Sequence, residues 1–323
     1  PAMSEERAIG APTALAEMPP ARRQERQGIV FGLVASLIWG GYIAVTHQGM
    51  SAGLTSWDLA FLRFAVAGIV LLPWWLSHAP LTLAGIGLMR GIVLALLAGP
   101  LFVLVGASGF LFAPLAHSAV IQLGMVTLMG ILLARIFNAE RQTGRRALGT
   151  AFIVAGLAVT AGPSLLLASS QAWKGDMLFA LAGTMWAIFT VLQRRWKVDA
   201  LAATATVSVV SALIYVPLYL FWKGGGRLLE VSPLLLLQQA VMLGVLAGGV
   251  ALFAFGRAVQ LLGAARASIF PALAPAVAIL LGIPLSGTVP TPWQLAGLVT
   301  LSIGLLLGVQ SPRKSVQLSA GRS

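Results

Sequence analysis

The side chains of this sequence that could do chemistry are binders rather than catalysts. Trp39 and Trp186 offer flat aromatic faces that stack on apolar groups or hold an ammonium by cation–π attraction. Tyr42 follows Trp39 by three residues, which puts both on roughly one face of a helix. Arg63 carries a guanidinium into the otherwise apolar run TSWDLAFLRFAVAGIVLLPWW at 55–75. Gln122 brings an amide donor and acceptor suited to a zwitterion, and His117 lies five residues before it. His117 and Arg266 open their apolar runs and would serve as entry and exit groups. Pro271 and Pro275 delete backbone hydrogen bonds where a gate would have to bend. Each has a plainer role beside it. Tryptophans pack or face lipid, a buried amide bridges two helices for ~0.6 kcal/mol, and an arginine at a helix end snorkels to the interface.

Other chemistries have no residues to run them. There is no G-x-x-x-x-G-K-S/T run for ATP and no H-E-x-x-H or G-x-S-x-G motif. The histidines at 47, 78 and 117 are scattered, and the Gly-rich stretch KGGGR at 223–227 reads as a turn. With no cysteine, disulfides and thiolate metal sites are excluded. No enzyme activity, metal or cofactor is expected. Asp58, Glu140, Asp176, Asp199 and Glu230 fall at the ends of apolar runs or between them, and Glu5, Glu6, Glu17 and Glu25 lie in the N-terminal tail. His117 is therefore the one titrating group expected near a central path.

The elements that must hold these residues are membrane helices. The chain is 58% hydrophobic and 9% charged, against roughly a quarter charged in a soluble domain. Apolar runs bounded by charge, Gly or Pro give ten spans, at 28–47, 57–77, 91–112, 115–136, 147–167, 175–195, 200–222, 233–256, 265–286 and 292–310. The net charge of +12 would suggest nucleic acid in a soluble protein. Here, with the N-terminus cytoplasmic, 17 of the 21 Lys and Arg fall on the inner side and three outside, and the last is Arg63. Both termini are expected in the cytoplasm, and no nucleic-acid partner is implied. Span two then starts outside, with Arg63 about 9 Å of helical rise beyond Trp57. Such a charge is expensive in a membrane. A pin to backbone carbonyls is the favoured role, and a docking charge for a substrate carboxylate is the other. Asp58, five residues away, points off the shared face.

The two halves echo each other. Trp39 stands eleven residues after Gly28, and Trp186 eleven after Gly175. The tripeptide LAG recurs at 97–99 and 246–248, an offset of 149 that also pairs His117 with Arg266. An odd number of spans per repeat inverts the second copy, an architecture that puts substrate between the repeats near the midplane.

Three stretches carry a likeness to a known family: FLRFAVAGIVLL in span two, ERQTGRRALG at 140–149, and GRAVQLLGAARASIFPALAPAVAILLG across spans eight and nine. On these the chain, over 28–310, resembles the EamA-type branch of the drug/metabolite transporter superfamily. The resemblance implies an all-α integral membrane fold of ten helices in a five-plus-five inverted repeat. The first repeat would occupy 28–167 and the second 175–310, with cytoplasmic tails at 1–27 and 311–323. Helices one to four and six to nine would form a central cavity, and five and ten would be peripheral. HSAVIQLGMV at 117–126 looks nearest to amino-acid exporters. The chain departs from the family pattern in three ways, one being that span four lacks the proline pair of span nine. Glu140 closes the fourth helix of the first repeat with no counterpart in LSGTVPTPWQ, and span seven has no equivalent of Arg63. The expected function is alternating-access export of amino acids and related small metabolites across the inner membrane, facilitative because no acid is buried. Its partners would be that small-molecule substrate and the lipid bilayer, and the sequence sets no oligomeric state, a monomer included. The alternative is proton-coupled efflux of hydrophobic cationic drugs through the same cavity.

Overall fold

The computed structural model describes residues 20–138, 144–166, 171–267 and 269–309. Among them seven helices are long and apolar enough to cross a bilayer, and three shorter apolar helices complete the set. In chain order they are α1 (Pro20–Ser51), α2 (Ser56–Ser77), α3 (Leu88–Leu111), α4 (115–138), α5 (Gly144–Leu166), α6 (Ala172–Arg195), α7 (Ala200–Lys223), α8 (Pro233–Leu262), α9 (264–267 and 270–286) and α10 (Pro292–Val309). Glu140 lies outside the described residues. α1 starts earlier than its apolar run, because Pro20 sits at the first helical position and the Arg and Gln that follow are good helix formers. The remaining starts are written locally. Thr55 and Asp58 form a reciprocal capping box on α2, Asp199 caps α7 through the N–H groups of Leu201 and Ala202, and Pro114 stands just before α4.

The inverted repeat is visible in which helices touch. α1 packs on α8 and α9 as α6 packs on α3 and α4, while α2 meets α7 and α5 meets α10 across the pseudo-axis. The pair α5 and α10 stands apart from the cavity. Gly156 and Gly304 let those two backbones approach so closely that a Cβ on either would reach 2.7 Å from a facing backbone nitrogen.

Irregular backbone also repeats in register. α3 breaks at Gly99–Pro100, where proline cannot donate to the preceding turn. In the matching part of α8 the stretch Ala240–Val250 is wound as a π-helix. α4 opens with a short turn, Leu115–His117, then a π-turn, Ser118–Gln122. α9 opens with Ala264–Ala267 and then the 3-10 stretch Phe270–Leu273. The second of these breaks was expected from its prolines. In α4 no proline announces it, yet a π-turn stands at the same place, a feature that concentrates at functional sites.

Candidate functional site

Between the repeats lies a cleft walled by α1, α2, α3, α6, α7 and α8, whose empty space, open solvent at its mouth included, comes to about 570 Å³. Trp39 and Trp186, the first-helix tryptophans of the two halves, both line it. Trp39 packs against Phe255 at 5.3 Å, and Trp186 is held at 5.2 Å from both Phe102 and Phe189. Gln193 and Ala200 line the cavity beside the α6–α7 turn, so it extends toward the end of the bundle that carries the N-terminus. Thr204 and Ser208 add hydroxyls to its wall.

Arg63 forms the floor. It is 9% exposed, with its guanidinium 5.0 Å from the Tyr42 ring centroid and 5.5 Å from that of Phe64. Two aromatic faces explain how the charge is tolerated, since a desolvated cation–π contact contributes about 2 kcal/mol. Among the described residues no hydrogen bond reaches it, so the carbonyl pin favoured from sequence does not form. Arg63 lines the cavity instead.

Beyond that floor is a smaller void, bounded by Tyr42, Thr46, Phe102, Phe110, Ser118 and Gln122. Gln122 is buried, and among the described residues its side chain's one hydrogen bond is long, accepted from the Ser118 hydroxyl at 3.5 Å. The close approach of α6 to the backbone at Gln122 depends on Gly183, whose missing Cβ would collide with that carbonyl. Two contacts divide the void from the main cavity, Arg63 on Tyr42 and Phe102 on Trp186.

The far end, at the α1–α2 turn, is shut by contacts between the halves. Tyr219 donates its hydroxyl to Asp58 Oδ1 at 2.6 Å, and Tyr215 donates to the Trp57 carbonyl at 3.1 Å. Phe61 stacks on Tyr219 at 4.4 Å, Gln239 Nε2 donates to the Val45 carbonyl at 2.8 Å, and His47 Nδ1 meets Ser286 Oγ at 3.0 Å. His117 is here too, 2.7 Å from Asp176, with side chains 7% and 10% exposed. It lines neither void. The carboxylates Asp58 and Asp176 lie near the starts of their helices, but both are buried, which corrects the expectation that no acid is buried.

A second ion pair stands in the mirrored place. Arg266, at the start of α9, reaches Glu25 in α1 at 3.2 Å, with side chains 70% and 54% exposed. Arg266 therefore lies at the open end and outside the cavity. Pro271 and Pro275 shape the adjoining backbone. The Ala274 N–H turns to the Pro271 carbonyl, which leaves the Phe270 carbonyl to accept from Ser36 Oγ of α1 at 2.6 Å.

Thus Trp39, Arg63 and Trp186 converge on the main cavity, Tyr42 and Gln122 on the void behind it, and His117 on the seal. The sequence reasoning missed Phe64, Phe102, Thr204 and the pair Tyr215 and Tyr219. The signal for the last was present: the chain has three tyrosines, two of them at the i, i+4 spacing that makes one helical face.

The EamA-like transporter family matches the chain twice, over residues 26–162 and 173–309. A curated relative, the uncharacterized transporter YyaM of Bacillus subtilis (strain 168), is 24% identical over 188 residues, covering 57% of this chain and 61% of the relative. The chain thus spans about three fifths of the length of that relative. A solved structure described only as "Crystal structure of protein" superposes with a TM-score of 0.57 at 18% identity, over 88% of this chain and 97% of the other, a likeness of fold. Each family match spans five helices whose break points repeat in register, and the chain accordingly belongs to the EamA-like transporter family of the drug/metabolite transporter superfamily.

Proposed function

We propose that the protein is an alternating-access exporter of amino acids and related small metabolites, with its halves, 28–167 and 175–310, rocking about the central cavity. The carrying observation is the pair of mirrored latches. His117–Asp176 joins α4 to α6 and is buried at the shut end, whereas Arg266–Glu25 joins α9 to α1 and is exposed at the open end. A bundle that closes one end by burying such a pair closes the other by burying its mirror image. The basic residues favour an inner-membrane location with both termini cytoplasmic, so the cavity would load from the cytoplasm.

The lining supports the substrate class. It combines tryptophan and phenylalanine faces, hydroxyls, one amide and one cation, with no carboxylate among the lining residues. That favours small zwitterions over hydrophobic cations, and with no acid or histidine in this lining it favours movement down a gradient. The buried His117–Asp176 pair is the one feature that favours the second reading, proton coupling. Counterflow of labelled amino acids in proteoliposomes, with and without a pH gradient, separates the two. Equal rates are expected, and strict dependence on the gradient would replace the facilitative reading with the coupled one.

A further inference from the structure

Arg63 is nine-tenths buried and lines the cavity, and among the described residues its guanidinium has neither a hydrogen bond nor a carboxylate. Its five N–H donors form a fork that matches a carboxylate bidentately, and aromatic faces satisfy only its charge. A buried donor set of this kind is poised for an acceptor brought from outside.

We infer that Arg63 is the docking site for the carboxylate of the cargo and, at rest on Tyr42, the plug between the main cavity and the void behind it; this rests on the cavity being the transport path. A carboxylate entering from the open end meets the fork and draws it off the Tyr42 ring. That ring also borders the smaller void, so the guanidinium's departure loosens the partition there. Behind it wait the Gln122 amide and the Ser118 hydroxyl, the next polar groups along the path. Trp39, Trp186 and Phe64 cover an apolar or aromatic body, and no lining acid competes for the fork or attracts a cation. The ligand class is therefore an organic carboxylate with an apolar body, and amines and amides of the same body are poor ligands.

The chain has no cysteine, so Thr204→Cys places a single thiol in the cavity wall. The rate at which a neutral methanethiosulfonate reagent modifies it is measured with 3-phenylpropionate, 3-phenylpropanamide or 3-phenylpropylamine present. The acid is expected to protect at concentrations where the amide and amine do not. Arg63→Gln should weaken that protection about tenfold or more, as losing a charge-assisted pair implies. Should that variant not fold, Arg63→Lys keeps the charge, loses the fork, and should protect less well. Tyr42→Leu, which frees the guanidinium, should strengthen protection several-fold, whereas a purely structural role for the contact would weaken it. Equal protection by acid and amide, protection by the acid that survives Arg63→Gln, or none by the acid would overturn the inference. Counterflow without acid-selective protection removes this inference and leaves transport standing. Acid-selective protection without counterflow does the reverse.

Discussion

Tyr219 and Asp58 illustrate how single residues set which end is shut. Asp58 accepts from the Thr55 N–H and hydroxyl, both at 2.7 Å, and from the Tyr219 hydroxyl of the other half. Tyr219→Phe removes only the contact between halves. A hydrogen bond to a charged group contributes about 1.5–3 kcal/mol, so the seal should open roughly tenfold more often. Modification of Thr46→Cys by an impermeant maleimide added at the shut end would read this as a faster rate, and an unchanged rate would remove Asp58 from the seal. The sequence placed Asp58 at the end of an apolar run, and the capping box that orients it appears in the structure. The sequence could not display the tyrosine, which lies 161 residues away and meets the carboxylate only through the packing of α2 on α7. Arg63 is the same case. Its depth was legible, but its partners were not, because Tyr42 comes from another helix.

At the scale of elements, the breaks in α4 and α9 are what allow a helix to bend within lipid without orphaned backbone groups. Pro275→Ala restores an N–H to the first turn of the straight part of α9 and should stiffen it. Slower transport with an unchanged or raised melting temperature is the expected outcome, and unaltered transport would make the break dispensable. Gly183→Leu should instead destabilise, because its side chain meets the Gln122 backbone of α4. A drop in melting temperature, with folded protein lost before transport is, would be read in detergent. Spans and the prolines of α9 were legible because each is a local signal. The π-turn at Ser118–Gln122 was not, since SAVIQ contains no helix breaker. Its position came to light only through register with α9.

At the scale of the whole molecule, the charge bias, the ten apolar runs and the 149-residue offset foretold an inverted pair of five-helix units, and the packing reproduces that order in space. What no periodicity could give is the asymmetry between the two ends. The two latches occupy mirrored positions yet differ in burial and in chemistry, histidine with aspartate at one end and arginine with glutamate at the other. Cross-linking tests alternation most directly. With His117→Cys and Asp176→Cys in the cysteine-free chain, a short cleavable thiol cross-linker would tie α4 to α6 at the shut end. The expected result is counterflow that stops on cross-linking and returns in the same liposomes on cleavage. Undiminished counterflow through the tied protein would contradict alternating access.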